Sequence, residues 1–226
     1  MKCFVCGHNQ FRYNNVLWAD LIDKWQLCHE EVNYINRQQG FCCTGCGNNL
    51  RSMALAAAIL RTYNFSGTLS QFVESDLDRT HKVLEINEAG GLSPFLKKLP
   101  NHQLVQYPEY DMTNLSFEPG TFDLIIHSDT LEHVPHPERA LFECRRILRS
   151  NGNCIFTVPI IVGRMTRSRV GLVPSYHGQA NIPADDQLVY TEFGADIWQT
   201  VLKSGFCSCE FFSLEYPSAV VIIARK

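Results

Sequence analysis

Two Cys-x-x-Cys pairs, Cys3/Cys6 and Cys43/Cys46, are each followed directly by a glycine, Gly7 and Gly47. Zinc takes about four nitrogen or sulfur ligands in a tetrahedron, and two such pairs supply them. Glycine after the second cysteine tolerates the strained backbone of a knuckle and lets amides approach the sulfurs. Four thiolates leave no open coordination position, so the expected ion is structural zinc (Zn2+) rather than a catalytic one. The stretch between the pairs is longer than usual zinc-finger spacing. Cys42 in place of Cys43, and Cys28, His8 or His29 as a substitute ligand, therefore stay open. A second polar group, Ser128, Asp129 and His133, follows the apolar run 122–127. Open parallel sheets place ligand sites just past the carboxyl ends of such strands. His133 is the first candidate general base; His177, in Pro174-Ser175-Tyr176-His177-Gly178, is the second; Asp129 is a third, as base or substrate clamp. His127 ends an apolar strand and reads as structural. Arg164, Arg167 and Arg169 read either as a solvated basic loop or as a clamp for a phosphate or carboxylate.

These residues need a scaffold, and the 226 residues suffice for one α/β domain with a small appendage. Hydrophobic content of 45% with 19% charged residues is that of an ordinary globular chain. The formal net charge of −3 argues against a nucleic-acid partner held through phosphates. Met1-Lys2-Cys3-Phe4 does not read as a signal peptide, and six of the ten cysteines fall in the first 46 residues. That usage fits a metal in a reducing compartment better than disulfides, so a cytoplasmic location is expected. No apolar run reaches the roughly 18–20 residues of a membrane span.

Residues 49–64 are strong helix formers with Leu50, Ala54, Ala57, Leu60 and Tyr63 at helical spacing. A shorter helix is expected over 69–77. From His81 onward strands and helices alternate: strands at 82–87, 103–107, 122–127 and 153–158, with a helix through Phe95, Leu96 and Leu99 and another over 137–149. Pro137 suits a first helical turn and Gly152 a stop. Residues 160–190 read as a long loop or lid, 191–204 as a helix, and 207–214 with 219–224 as a closing strand pair. The expected fold class is α/β: a Rossmann-like, doubly wound, mostly parallel sheet with an antiparallel C-terminal hairpin. The expected organisation is a zinc-ribbon-like segment over 1–48, linking helices over 49–79 and the main domain over 80–226.

Four pieces carry a family resemblance: Val83-Leu84-Glu85-Ile86-Asn87-Glu88-Ala89-Gly90-Gly91, Asp111-Met112-Thr113-Asn114-Leu115-Ser116-Phe117, Phe122-Asp123-Leu124-Ile125-Ile126 and Leu131-Glu132-His133-Val134. In this order they resemble the motifs of class I S-adenosylmethionine-dependent methyltransferases, over about residues 80–226. The Cys-x-x-Cys-Gly pairs resemble the zinc ribbon that precedes the domain in some bacterial members. The resemblance implies S-adenosylmethionine as cofactor, with Glu85 toward its ammonium group, directly or through water. Asn87, Ala89, Gly90 and Gly91 would form the turn against it. Glu109 would accept the ribose hydroxyls and Asp111 the adenine amine, with Met112 packing the ring. Ser128 and Asp129 would border the methionine end.

Two departures stand out. The first turn reads Glu-Ile-Asn-Glu-Ala-Gly-Gly instead of the family's usual Glu-x-Gly-x-Gly-x-Gly, so Asn87 and Glu88 require another loop path and Glu88 competes with Glu85. Only about twenty residues separate Gly91 from Asp111, too few for a full helix–strand–helix–strand segment. The helix after the second strand is therefore expected to be missing and the third strand vestigial. The reading is methyl transfer to a small-molecule or glycan-type acceptor. The altered turn motivates an alternative, a non-catalytic zinc-dependent scaffold on the same fold.

Overall fold

In the computed structural model, which describes residues 1–75, 80–176 and 187–226, strands and helices alternate from residue 83 onward, as the periodicity predicts. The elements are β1 (Phe11–Tyr13), α1 (Ala19–Trp25), α2 (His29–Gly40), β2 (Phe41–Cys43), α3 (Leu50–Thr62), α4 (Leu69–Glu74), β3 (Val83–Ile86), α5 (Ser93–Leu96), β4 (His102–Val105) and β5 (Phe122–Ser128). They continue with α6 (Pro137–Ile147), β6 (Leu148–Thr157), β7 (Ile160–Ile161), β8 (Arg167–Ser168), β9 (Thr191–Gly194), α7 (Trp198–Lys203), β10 (Ser208–Ser213) and β11 (Val220–Arg225).

The main sheet has the order β10-β11-β6-β5-β3-β4. Strands β4, β3, β5 and β6 are parallel, and β11 runs antiparallel between β6 and β10. The expected terminal hairpin is thus present. The inner strands β3, β5 and β11 are buried on both faces, which is why they read as nearly continuous apolar runs, whereas the edge strands β4 and β10 are partly exposed. Leu124 and Ile126 of β5 face a core shared with α3 and α4, whereas Ile125 faces the core covered by α6 and α7. Helix α3 is capped by the Asn49 side chain, which accepts from Ser52 N, and buries every residue from Ser52 to Leu60.

The connection from β4 to β5 contains neither helix nor strand, so the sheet ends at β4 and the third strand of the fold is absent. Two residues of α6 hold this shortened connection. Glu143 accepts from Leu115 N, and Arg146 donates to the carbonyls of Leu115 and Phe117.

Three expectations are corrected. The segment 191–204 is not one helix: Thr191–Gly194 is β9, pairing with both β7 and β8, and α7 begins only at Trp198. All four residues of β9 are buried, and the carboxylate of Glu192 is taken by Arg167 and Arg169. The stretch 160–190, read as a loop or lid, carries β7 and β8, which pair with β9 in a small three-stranded sheet, β7-β9-β8. The segment 1–48 is more than a ribbon, because two helices, α1 and α2, stand between its knuckles. Nor does the packing break at residue 48: Cys3, Val5 and Cys43 belong to the same apolar cluster as α3 and the sheet.

Candidate active site

The strand order reverses between β3 and β5: β4 lies on one side of β3, and β5 and β6 on the other. Such a switch point leaves a crevice at the carboxyl ends of the strands. The turn after β3 forms one lip. Asn87 adopts φ +52° and Gly90 φ +57°, so the path that glycine would take is supplied at the first position by asparagine, a residue that tolerates the left-handed region. The Asn87 Oδ1 accepts from Tyr107 N at 3.1 Å and ties this turn to the loop after β4. Ala89 is buried and Glu88 exposed.

Glu85 is fully buried beneath the turn, and both its oxygens have partners inside the protein. Oε1 accepts from Ala89 N at 2.8 Å; Oε2 accepts from Ser93 Oγ at 3.2 Å and lies 2.7 Å from His102 Nε2. In this arrangement the carboxylate organises the turn instead of presenting an oxygen to a ligand.

Beyond β4, Glu109 and Asp111 are exposed, and Asp111 Oδ1 accepts from the backbone and hydroxyl of Thr113, both at 2.7 Å. Met112 is buried in the core covered by α6, so it packs inward and not toward the loop surface.

The opposite lip follows β5. Ser128 Oγ meets Thr157 Oγ1 at 2.8 Å, joining the ends of β5 and β6. Asp129 takes φ +48°, and its carboxylate Oδ2 accepts from Arg51 Nη1 of α3. The other oxygen, Oδ1, is buried with no hydrogen-bond partner among the described residues, as is Arg51 Nε. Burial pulls the Arg51 guanidinium down to about 10, opposed by the nearby charge of Glu132, and leaves it a cation at neutral pH. The first turn of α3 also reaches the other lip: a Cβ on Gly90 would sit 3.2 Å from Ser52 Oγ. Arg51 and Ser52 thus bridge the two lips of the crevice.

His133 lies in a short helical turn, with Nδ1 3.0 Å from the carbonyl of Leu188 and Nε2 3.7 Å from Glu132 Oε1. A carbonyl can only accept, so Nδ1 carries the proton and Nε2 is the basic nitrogen. His177 lies outside the described residues. His127 is fully buried, stacked on Phe156 at 4.5 Å, and burial lowers its pKa to about 3. It is neutral and structural, as its place in an apolar strand predicts.

Beside Asp129 opens a cavity of about 380 Å³. Its walls are Leu17, Trp18, Leu21 and Trp25 around α1, Ile35 of α2, and Pro159 to Ile161 just past β6. The three arginines read as a possible anion clamp brace this region instead. Arg164 pairs with Glu31 and donates to the carbonyls of Trp25 and Gln26; Arg167 and Arg169 pair with Glu192.

The four cysteine sulfurs of Cys3, Cys6, Cys43 and Cys46 lie within 4.8 Å of one another. The separations of 3.7 Å (Cys3–Cys46) and 3.6 Å (Cys6–Cys43) are close to the edge of a tetrahedron built on metal–sulfur bonds of about 2.3 Å. Each knuckle repeats the same backbone: Gly7 N donates to Cys3 O and Gly47 N to Cys43 O, both at 2.8 Å, with φ of +82° and +76° at the glycines. Among the described residues no other histidine, cysteine or carboxylate joins this group. Cys42 instead points its sulfur at Gln39 O, and Cys28 sits exposed before α2. The knuckles are wired into the crevice: Asn48 Nδ2 donates to Cys46 Sγ at 3.4 Å and to Gly91 O at 3.1 Å.

Sequence reasoning missed Arg51, Asn48, His102 and the cavity wall of α1. Arg51 left one usable trace, a cation in the first turn of an apolar helix, where the helix dipole disfavours it unless an acid holds it.

The sheet order, the turn after β3 and the lip at Asp129 define a class I methyltransferase-type crevice. Residues 43–156, half of the chain, match the methyltransferase domain family. Sarcosine/dimethylglycine N-methyltransferase of Halorhodospira halochloris is 37% identical over 57 residues, which is 25% of this chain and 20% of that protein. A highly reducing polyketide synthase of Pyrenophora dematioidea is 26% identical over 110 residues, 48% of this chain and 4% of that protein. The chain thus spans a fifth or less of these relatives. A solved S-adenosylmethionine-dependent methyltransferase from Thermotoga maritima aligns with TM-score 0.42 and 16% identity, covering 75% of this chain and 94% of its own. The chain belongs to the methyltransferase domain family, as a class I, S-adenosylmethionine-dependent member. No helix among the described residues is long and apolar enough to cross a membrane.

Proposed function

We propose that this chain transfers a methyl group from S-adenosylmethionine to a small-molecule acceptor seated beside Asp129. The observation that carries the reading is the half-buried Arg51–Asp129 pair where the β3/β5 crevice meets the cavity, with Asp129 Oδ1 buried and lacking a partner among the described residues. A buried carboxylate oxygen without a donor costs about 1–3 kcal/mol, so a ligand donor belongs there.

When bound, S-adenosylmethionine supplies an electrophilic methyl group on a sulfonium. The chain's part is positioning, which can furnish much of the acceleration of such a reaction. The turn of Asn87, Ala89, Gly90 and Gly91 is the cofactor seat, held in shape by Glu85. Arg51, through its Nε, which has no partner among the described residues, is the donor toward the methionine carboxylate, and Glu85 acts on the seat only by shaping the turn. Glu109 and Asp111 are the exposed acceptors toward the ribose and adenine, and Ser128 borders the seat. Asp129 Oδ1 orients the acceptor's N–H or O–H and is the carboxylate that faces its proton; His133, which does not line the cavity, positions the loop after β5 through Leu188 O. Zn2+ in the Cys3/Cys6/Cys43/Cys46 tetrahedron is structural, because four sulfurs fill its coordination shell.

A second reading, a non-catalytic scaffold, is favoured by one observation: Glu85 is fully engaged inside the protein. Titration calorimetry with S-adenosylhomocysteine separates the two. Saturable binding, weakened in Arg51→Ala, supports the enzyme; absence of heat from the folded, metal-loaded protein at millimolar ligand refutes it.

A further inference from the structure

The cavity beside Asp129 also says what kind of acceptor fits, an inference that rests on the reading above. The described lining is mostly apolar and includes the indoles of Trp18 and Trp25, the latter covered on one face by Arg169. Among the described residues, polar lining is confined to Asp129, Gln38 and Gln39, and Gln39 Oε1 already accepts from Asn49 Nδ2. The described lining contains no lysine, arginine or histidine. The cations around it are engaged elsewhere: Arg51 with Asp129, Arg164 with Glu31, and Arg167 and Arg169 sharing the one carboxylate of Glu192.

A phosphate or carboxylate placed here would face Asp129 with no cation in the described lining to balance it, and burying an unpaired charge is costly. A cationic acceptor gains nothing from a carboxylate whose charge Arg51 already offsets. A glycan would bring many hydroxyls to a wall with two side chains able to answer them. The volume of about 380 Å³ falls in the range of sites for small ring-bearing molecules.

We propose that the acceptor is a neutral, apolar, ring-bearing small molecule with one O–H or N–H, seated between Trp18 and Trp25 and donating that hydrogen to Asp129 Oδ1. Its body excludes water from the crevice, and its single polar group carries the atom to be methylated.

The test uses naphthol as a neutral probe, with naphthoate and methyl glucoside as anionic and sugar controls, on the full metal-loaded chain. The protein has three tryptophans, and the third, Trp198, lies exposed on α7, so nitrogen-labelled indole signals report the site directly. Naphthol is expected to shift the Trp18 and Trp25 signals saturably and leave Trp198 unmoved. Naphthoate should bind at least about ten-fold more weakly, and the glucoside not at all. Ile35→Trp, which fills the cavity, should abolish naphthol binding while heats with S-adenosylhomocysteine persist. Silent Trp18 and Trp25 signals, naphthoate binding as tightly as naphthol, or undiminished naphthol binding by the filled variant would each overturn the proposal. The wild-type spectra decide it even if that variant fails to fold. Loss of S-adenosylhomocysteine binding in the wild type would sink the methyltransferase reading and leave the cavity's preference standing on its own measurement.

Discussion

His127 makes the protein's stability depend on pH in a way that can be worked out from its surroundings. The ring is fully buried, stacked on Phe156, and neither nitrogen has a hydrogen-bond partner among the described residues. Burial lowers its pKa from 6.5 to about 3, against a small opposing pull from Glu132. The folded chain therefore holds the neutral ring, while the unfolded chain takes up a proton once pH falls below 6.5. The contribution is complete above that value and shrinks by about 1.4 kcal/mol per unit as pH drops toward the folded value. Between about pH 7 and about pH 5 the loss is about 2 kcal/mol. Urea unfolding of the wild type and of His127→Leu at these two pH values measures it. Protonation of the cysteine cluster affects both proteins alike and cancels in the difference. The leucine variant should lose about 2 kcal/mol less than the wild type over this interval. Equal losses would mean that the histidine is solvated or paired in solution, and the account of the end of β5 would fail.

Three further outcomes are expected. Removing metal with a strong chelator should lower the melting temperature and perturb the indole signals of Trp18 and Trp25, because α1 and α2 hang between the two knuckles. Cobalt substitution should give thiolate charge-transfer bands that Cys43→Ser weakens, and a protein whose spectrum and melting ignore both treatments holds no metal there. Gly91→Ala would put a Cβ 2.4 Å from Asn48 Oδ1. Displacing that buried amide breaks its bonds to Cys46 and Gly91, costing about 1–3 kcal/mol in denaturant unfolding, and a neutral effect would contradict the coupling. Arg51→Leu leaves Asp129 without its cation and should destabilise by about 3–5 kcal/mol. Arg51→Leu/Asp129→Leu should recover most of that stability and none of the methyl transfer; a double variant as unstable as the single would mean the pair is not coupled.

The inner parallel strands β3 and β5 were legible because each is buried on both faces, so its apolar run is nearly unbroken and bounded by turn residues. The missing third strand was legible from chain length alone. What escaped depends on long-range pairing. Residues 191–194 carry strand alternation too short to outweigh the helix formers after them, and only pairing with β7 and β8 makes them a strand. Helices α1 and α2 are short, polar on their outer faces and anchored by distant groups: Asn36 to the backbone of Val16 and Leu17, Trp25 to Ser175, Arg164 to Glu31. No local pattern reports such partners. Glu85 was recognised as a strand-end carboxylate, but its partner His102 lies on the neighbouring strand, where spacing says nothing.

The two ends of the sheet explain each other. At β4 the sheet stops one strand short, so the loop of Glu109 and Asp111 has no helix behind it and relies on Arg146 and Glu143 of α6. On the far side of the crevice, the N-terminal segment adds what a bare sheet lacks, a wall over the carboxyl ends of β5 and β6. Helices as short as α1 are not stable by themselves and need external anchors. The cysteine tetrahedron supplies one by closing the chain on both sides of α1 and α2, and Asn48 extends that closure to the Gly91 turn. The knuckles therefore act on the site at one remove. They fix where α1 stands relative to Asp129, and with it the width of the cavity beside that residue.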